Sequence, residues 1–216
     1  MHVYEAIGET LKRLDVQATF GLMGDGNLRF MTHLAEELGM PYYAARHEGG
    51  AVAMADGYAC VTGKVGVCSV TQGPGVTNTL TALTEGRKAS TPMLLLAGDT
   101  AVRILRHNQD VDQTAIFKSV GVTVARVRSP DTLVIDLSRA FNQALALQQP
   151  IAISIPTDMQ TLPCDTDTLQ AVAVQVPMPS RPPIEEIRRA AELIATSKQP
   201  AIIAGRGAVV RRPGNL

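Results

Sequence analysis

Glu48 is the residue of this chain that is best placed for acid–base chemistry. Residues 41–45 before it have the pattern of a short strand, and the apolar residues between 51 and 59 recur at spacings of three, four and seven. That period predicts a helix that begins at Glu48 and buries one stripe. Glu48 would then lie where a strand ends and a helix begins, which is where α/β proteins form their sites. A plainer interpretation is an acidic first helical turn that the helix dipole stabilises.

The turn Gly73-Pro74-Gly75 is the second feature that indicates a ligand, and Asn78 follows it closely. Glycine lets a backbone approach a ligand, and the free N–H groups of a helix N-terminus attract electron-rich atoms. The turn is not a P-loop, because no Gly-Lys-Ser/Thr follows, and it is not a Gly-x-Gly-x-x-Gly fingerprint. By itself the sequence is equally consistent with a turn that only connects a strand to a helix.

Strand and helix patterns alternate along the chain, and the elements that they predict must position these residues. Strand patterns occur at 18–22, 41–45, 65–70, 92–97, 122–127 and 151–155. Helical patterns occur at 3–14, 28–38, 48–61, 76–87 and 132–147. The nearly all-apolar run 92–97 is typical of a strand that is covered on both faces. We therefore predict an α/β fold, with a six-stranded, mostly parallel sheet and helices on both of its faces.

Residues 161–183 lose this periodicity and are rich in Pro, Thr, Asp and Val, which predicts a linker. A helical pattern resumes at 184–195 and a strand pattern at 201–205. We expect residues 1–160 to form one domain and 184–216 to be the truncated start of a second α/β domain, its first helix and strand. One helix and one strand cannot enclose a core, so the sequence predicts a longer parent protein.

The composition disfavours several classes of function. Lys plus Arg and Asp plus Glu number 20 each, so no net charge attracts nucleic acid or an anionic membrane. No apolar run approaches the ~20 residues that cross a bilayer, and the first residues lack a secretory signal pattern. Three cysteines without a Cys-x-x-Cys pair favour free thiols in a reducing compartment. We expect a cytoplasmic protein that binds neither nucleic acid nor membrane.

Several motifs occur together in one order. They are Phe20-Gly21, Arg46-His47-Glu48 with Ala51, the run 55–59, Gly63, and the run 71–75 with Asn78. In this arrangement the chain resembles the N-terminal, pyrimidine-binding domain of thiamine diphosphate-dependent enzymes, specifically the acetolactate synthase-like group. Residues 109–113 and 151–158 are also similar to that group. The resemblance covers about residues 1–160 as this domain and 184–216 as the start of the central domain.

The resemblance implies that Glu48 is catalytic. In the family this glutamate hydrogen-bonds N1′ of the cofactor's aminopyrimidine and promotes the imino tautomer, whose 4′ nitrogen removes the proton from C2 of the thiazolium ring. A carboxyl group enclosed by Ala, Val and Met would resist ionisation and so suit this task. The resemblance also implies that Gly73, Pro74, Gly75 and Asn78 line the pyrimidine pocket.

On the substrate side, Gly24, Asp25 and Gly26 occupy the loop that faces the reacting carbon in the family, and Gln109 matches a glutamine near the substrate of acetolactate synthases. The family more usually has glycine, serine or another small residue where this chain has Asp25. A carboxylate there would repel an anionic 2-oxo acid unless it is protonated or turned away. The identity of the substrate therefore stays open.

No metal ligand is predicted in this chain. Gly24-Asp25-Gly26 mimics the Gly-Asp-Gly that opens the family's magnesium and diphosphate motif, but the asparagine which completes that motif is missing at its spacing, since Asn78 is the next one after Asn27. By resemblance the Mg²⁺ ligands lie outside this chain, and FAD is a possible cofactor of the parent's central domain that the sequence leaves open.

The expected parent decarboxylates a 2-oxo acid and can join the product to a second carbonyl. In the family the cofactor spans a dimer interface, so we expect a homodimer or homotetramer and an inactive isolated fragment. One alternative is a non-catalytic oligomerisation or regulatory module derived from the family, and another is a sulfo- or phosphono-substrate decarboxylase. A nicotinamide-dependent Rossmann oxidoreductase is disfavoured, because the glycine fingerprint after the first strand is missing.

Overall fold

A computed structural model describes residues 1–104, 107–176 and 181–205 of the chain. It divides into two units, Met1–Val176 and Pro177–Leu216, which are described separately.

A six-stranded sheet forms the centre of the first unit. Its strands are β1 (Thr19–Gly21), β2 (Tyr42–Ala44), β3 (Gly66–Val70), β4 (Met93–Asp99), β5 (Thr123–Arg126) and β6 (Pro150–Pro156). Their order across the sheet is β2-β1-β3-β4-β6-β5, and every neighbouring pair is parallel. The predicted α/β sheet is confirmed, and its strands are parallel throughout.

Among the described residues of this unit, seven α-helices connect or flank the strands. They are α1 (Val3–Arg13), α2 (Leu28–Thr32), α3 (Glu48–Thr62), α4 (Pro74–Thr77), α5 (Leu80–Lys88), α6 (Gln113–Ser119) and α7 (Leu133–Leu147). A π-helical turn, His33–Glu37, continues α2, and short 3₁₀ turns occupy Pro130–Thr132, Thr157–Met159 and Asp167–Ala171. The predicted helix 76–87 is divided into α4 and α5. The short helix α6 was not predicted.

Apolar layers cover both faces of the sheet. On one face, Leu94 and Leu96 belong to a cluster that also includes residues of α1, α2 and α7. On the other face, Leu95 packs in a cluster with residues of α3, α5 and α6. All seven residues of β4 are buried, and burying each leucine side chain contributes about 2 kcal/mol. The prediction of a sheet covered on both faces is therefore confirmed.

The parallel strands bring several loops to one edge of the sheet. The loop after β1, the turn after β3 and the segment between β4 and α6 all leave from carboxyl ends of adjacent strands. The chain also passes from β2 into the first residue of α3 at this edge. This edge is therefore the place where residues from distant parts of the sequence can meet.

The first unit extends beyond the domain end expected at residue 160. Cys164 N donates a hydrogen bond to Met1 O (3.0 Å), and Asn142 Nδ2 donates one to Ala173 O (3.0 Å). Leu169 is buried in the core. The chain therefore stays packed on the first unit as far as Val176, rather than leaving it at the predicted linker 161–183. Composition could not show this, because these contacts are to residues far away in sequence. Residues 177–180 of that linker lie outside the described residues.

The second unit contains α8 (Ile184–Thr196), as predicted, and its described residues, 181–205, are exposed. Residues 201–205 were predicted as a strand, but they pair with no strand among the described residues, so that prediction is wrong for this structure. A strand is stabilised by cross-strand partners, and Ile203 is 97% exposed. Residues 206–216 of the predicted second domain lie outside the described residues.

No helix among the described residues is long and apolar enough to cross a membrane.

Candidate functional site

Glu48 is the first residue of α3, and it lies at the edge of the sheet. His47 is the N-cap of this helix, and its Nδ1 accepts a hydrogen bond from Gly49 N (3.1 Å). The Glu48 side chain is half-buried, and its Oε2 accepts a hydrogen bond from Asn78 Nδ2 (2.8 Å). The helix cap therefore gives His47 a structural role and directs the adjacent carboxyl group toward Asn78.

The turn at residues 73–75 has a backbone that requires glycine at its first position. Gly73 has φ +60° and ψ −113°, a conformation that residues with a side chain rarely adopt. A Cβ on Gly73 would also collide with the carbonyl oxygen of Gln109. Pro74 then begins α4, where its fixed φ suits the first helical position and its missing N–H costs nothing.

Gly75 is the part of this turn that faces the Glu48 carboxyl group. A Cβ on Gly75 would lie 3.7 Å from Glu48 Oε1 and 2.8 Å from Thr71 Cγ2. Among the described residues, Oε1 makes no hydrogen bond, whereas Oε2 is held by Asn78. One carboxyl oxygen is thus fixed, and the other borders backbone without a side chain. Oε1 can therefore accept or, when protonated, donate one further hydrogen bond.

The surroundings of Glu48 differ from the predicted apolar enclosure. The closest described partners of the carboxyl group are the Asn78 amide and the Gly75 backbone, and the Asn78 side chain is itself exposed. The apolar residues Ala51, Val52 and Ala55 are buried deeper along α3. The reason is geometric, because the first helical turn lies at the sheet edge while the later turns cross the sheet.

Four hydrogen bonds hold the loop at residues 24–26. Asn27, which is fully buried, accepts one from Gly24 N (2.8 Å) and donates another to Ser69 Oγ (2.9 Å). Gly26 N donates to Thr71 Oγ1 (3.0 Å), and Gly26 O accepts from Gln160 Nε2 (2.7 Å). The loop backbone is therefore fixed at the edge of the sheet.

Asp25 is the exposed residue at the centre of this loop. Thr71 connects the loop with the turn, because Thr71 Cγ2 lies 3.0 Å from where a Cβ on Gly24 would be and 2.8 Å from where one on Gly75 would be. The predicted substrate loop and the predicted pyrimidine turn therefore border the same threonine side chain.

Gln109 also lies beside the turn. Its side chain is half-buried, and its Oε1 accepts a hydrogen bond from Gln72 Nε2 (2.7 Å). Its carbonyl group packs against Gly73. The structure thus brings the predicted site residues to one edge. Asn78 donates a hydrogen bond to Glu48, Gly75 faces Glu48 Oε1 without a side chain, and Gly24, Gly26 and Gln109 adjoin the turn through Thr71 or Gln72. Asp25 is exposed in its loop.

Several polar residues of this edge were not predicted to have a role. Among them are Gln72, Gln113 and Gln160, each at most 4% exposed, and Asp99, which is 6% exposed. Gln113 lies within the run 109–113, but a buried glutamine cannot be told from an exposed one by periodicity. Only their place in the sequence could have indicated these residues, because a polar residue that follows a strand or begins a helix at this edge can form hydrogen bonds to a neighbouring loop.

Metal ligands are not grouped in the described residues: no three or more of their His, Cys, Asp and Glu side chains could hold one ion. The Asn27 side chain, which follows the Gly24-Asp25-Gly26 sequence, donates hydrogen bonds to Leu22 O (3.1 Å) and Ser69 Oγ (2.9 Å). All three cysteines are free. Burial raises the pKa of the Cys68 thiol to about 12, so Cys68 acts as a packing group rather than as a nucleophile.

A family model matches more than half of the chain. Residues 1–116 match the family described as thiamine pyrophosphate enzyme, N-terminal TPP binding domain.

Curated relatives are similar over nearly the whole chain. A probable 2-ketoarginine decarboxylase of Pseudomonas aeruginosa is 35% identical over 211 residues, which are 95% of this chain and 37% of that protein. An acetolactate synthase of Arthrospira platensis is 32% identical over 216 residues, with 95% and 37% covered. A sulfoacetaldehyde acetyltransferase of Rhodobacter capsulatus is 30% identical over 212 residues, with 97% and 35% covered. The chain therefore spans 35–37% of the length of these relatives.

A solved structure has the same fold. The thiamine diphosphate-dependent 4-hydroxybenzoylformate decarboxylase of Rhodococcus jostii RHA1 superposes with a TM-score of 0.82, at 21% sequence identity, over 92% of this chain and 38% of that one.

Proposed function

Because the chain belongs to the thiamine pyrophosphate enzymes and carries their N-terminal TPP-binding domain, we propose that Glu48 is the catalytic residue of a thiamine diphosphate-dependent enzyme that acts on a 2-oxo acid. One observation carries this proposal. Asn78 holds Oε2 of Glu48 at 2.8 Å, while Oε1 faces the side-chain-free backbone of Gly75.

Each residue has a defined task in this proposal. The Asn78 amide orients the carboxyl group, and Glu48 exchanges a proton at Oε1 with a ring nitrogen of the cofactor. Gly75 keeps a side chain away from Oε1, and Gly73 and Pro74 fix the backbone on which Gly75 lies. When bound, thiamine diphosphate would stabilise the negative charge that remains on the carbonyl carbon of the substrate after the bond to the carboxylate breaks. The protein supplies binding, orientation and the position of the proton.

The charge of Asp25 bears on the substrate class. The three relatives named above do not separate the classes, since they are a 2-ketoarginine decarboxylase, an acetolactate synthase and a sulfoacetaldehyde acetyltransferase. Asp25 is exposed in the loop 24–26, whose Gly24 borders Thr71 beside the turn, and its negative charge would repel an anionic group of the substrate and attract a cationic one. We therefore favour a 2-oxo acid with an uncharged or cationic side chain over a sulfo- or phosphono-substrate.

The surface of α3 supports the proposed homodimer or homotetramer. Exposed small or apolar residues lie along one side of this helix: Gly50, Ala53, Gly57, Cys60 and Val61. The opposite side, with Val52 and Ala55, is buried in the core. A helix that is apolar on all sides is typical of an element covered on all sides. A second copy of the chain would cover this face, which is on the same helix as Glu48.

The remaining components are proposed for the whole protein. Mg²⁺ and the diphosphate group would be held by residues outside this chain, and FAD, where present, by the central domain. The isolated 216-residue chain would bind the cofactor weakly and be inactive, and the whole protein would be cytoplasmic.

The decisive experiment substitutes Glu48→Gln in the whole protein. Glutamine keeps the size and the hydrogen bond to Asn78 but cannot exchange the proton, so hydrogen–deuterium exchange at cofactor C2 and turnover should fall by about 10²–10⁴-fold. Bound cofactor should be retained, as measured by calorimetry.

Glu85→Gln, on the exposed side of α5, is the matched control and should leave both rates unchanged. A Glu48→Gln protein with normal C2 exchange and turnover would refute the catalytic role and favour a non-catalytic module.

A further inference from the structure

Gln113 is a buried, uncharged side chain that joins three parts of the edge. It is 4% exposed and is the first residue of α6. Its Oε1 accepts a hydrogen bond from Gly73 N (3.1 Å), and its Nε2 donates to Gly98 O (3.0 Å) and lies 3.4 Å from Ser154 Oγ. We propose that Gln113 is a positioning residue, which holds the turn 73–75 in the conformation that presents Gly75 and Asn78 to Glu48. This inference rests on the function proposed for Glu48.

The turn needs an external support. Gly73 has the left-handed φ of +60°, and α4 after it contains only four residues, with no side-chain cap. Its buried N–H would lack a partner if the turn moved away from Gln113. The hydrogen bond from Gly73 to Gln113 therefore favours this one backbone arrangement over the others that glycine can adopt.

The orientation of the Gln113 amide is set by its neighbours. Gly98 O can only accept a hydrogen bond, so Nε2 must face it, and Oε1 then faces Gly73 N. Ser154 Oγ donates to Asp99 Oδ2 (2.6 Å), which also pairs with Arg126 Nε (3.0 Å). The surrounding network therefore holds the amide in one of its two orientations.

The start of α6 is fixed as well. Asp112 is the N-cap of this helix, and its Oδ1 accepts a hydrogen bond from Ala115 N (2.9 Å). The capped helix fixes the backbone of Gln113, and β4 and β6 fix its far end. Gln113 thus connects the turn to the sheet, so that the turn keeps a fixed position relative to β4 and β6.

A displaced turn would disturb both contacts of Glu48. Gly75 borders Oε1, and Asn78, which ends α4, donates to Oε2. Small errors in the position of a catalytic group have large effects, since a misplacement of ~1 Å can cost about 10²-fold in rate. A residue that touches neither Glu48 nor Asn78 in the described contacts can therefore control the site.

The first test is Gln113→Met in the whole protein. Methionine has a similar length but makes neither hydrogen bond. We expect amide exchange at Gly73 to accelerate and the Kd for thiamine diphosphate to rise by about tenfold, the effect of losing the hydrogen bond that holds the turn. The kcat with saturating cofactor should fall while the KM for the 2-oxo acid is unchanged. Gln143→Met, on the exposed side of α7, is the matched control and should change none of these quantities.

The second test is Gln113→Glu, which adds a pH readout. A protonated carboxyl group can accept from Gly73 N and donate to Gly98 O as the amide does, but an ionised one cannot donate. Asp99, Asp110 and Asp112 line the adjoining 540 Å³ cleft with Arg126 as the opposing charge, so burial and these carboxylates would raise the pKa of the introduced group. Its affinity for the cofactor should equal that of the wild type at low pH and fall behind it as the pH rises.

The outcomes separate this inference from the proposed function. If Gln113→Met lowers the Tm but leaves Gly73 exchange and cofactor affinity unchanged, Gln113 is only structural and the inference is wrong. If Gln113→Met does not fold, the pH series of Gln113→Glu decides, and a flat ratio to the wild type overturns the inference. A normal Glu48→Gln protein overturns the proposed function, whereas Gly73 exchange in the Gln113 variants still reports on the turn.

Discussion

The two carboxyl oxygens of Glu48 have different surroundings, and this difference carries the catalytic proposal. Oε2 accepts the Asn78 amide, and Oε1 faces Gly75. The amide can only donate at this atom, so it orients the carboxyl group in either protonation state. Glu48 is half-buried rather than fully enclosed, as a proton exchange with a bound ring would require.

Asp25 is the residue at which the substrate preference is expected to be decided. Asp25→Asn removes one negative charge from the loop while keeping its size, so it should raise kcat/KM for a dianionic substrate relative to one with a cationic side chain. At an exposed position the change in this ratio should be about 2–5-fold, and it should shrink at high salt.

The measurement is a competition assay with two 2-oxo acids at two salt concentrations. Asp167→Asn, an exposed carboxylate of the 3₁₀ turn Asp167–Ala171, is the control. An unchanged ratio would mean that Asp25 does not face the substrate.

At the scale of elements, the break between α4 and α5 places Asn78. Thr77 Oγ1 donates a hydrogen bond to Pro74 O (2.9 Å), and Thr79 Oγ1 donates one to Val76 O (2.6 Å). Such side-chain bonds to the backbone compete with regular helix. Asn78 lies between the two helices as a result, and its amide reaches Glu48 across 30 residues of sequence.

Alanine substitutions in the turn should separate folding from binding. Gly73→Ala adds a side chain at positive φ and against the Gln109 carbonyl, so we expect it to lower the free energy of unfolding by about 1–3 kcal/mol. Gly75→Ala lies in α4, where alanine is tolerated, but its Cβ approaches Thr71 Cγ2 and Glu48 Oε1. It should weaken thiamine diphosphate binding with a smaller loss of stability.

Denaturant unfolding and calorimetric cofactor binding measure the two effects. Gly39→Ala is the control for strain alone, because Gly39 has φ +65° but no atom within 4 Å of the added Cβ. Equal stability losses for Gly39→Ala and Gly73→Ala would show that the contact with Gln109 costs nothing.

At the scale of the whole molecule, α3 joins the site to an uncovered surface. Its first residue is Glu48, its inner side packs on the sheet, and its outer side leaves Val61 88% exposed. The exposed Asn78 side chain lies beside the same helix. A second copy over this side would therefore shield both the apolar helix face and the site from water.

Ala53→Glu tests this arrangement, since Ala53 is exposed in the middle of the uncovered face. A charge buried at an interface is costly, so we expect the whole protein to dissociate in analytical ultracentrifugation at micromolar concentration and to lose cofactor affinity. Its unfolding midpoint as a monomer should change little. Ala146→Glu, on the exposed side of α7, should leave the assembly intact, and an unchanged assembly for Ala53→Glu would place the interface elsewhere.

The sequence by itself determined most of the elements and identified Glu48 as the candidate acid, but it missed α6 and the division between α4 and α5. Apolar periodicity located all six strands and the helix that begins at Glu48, because side-chain burial repeats locally along each element. The order of motifs then led to the family. Only the tertiary structure decided that β1 lies between β2 and β3, and that Asn78 and Gly75 meet Glu48. It also decided that Gln113 supports a turn 40 residues away. The physical reason is that a polar side chain takes its role from the groups that the fold brings within hydrogen-bonding distance, and those groups are distant in sequence.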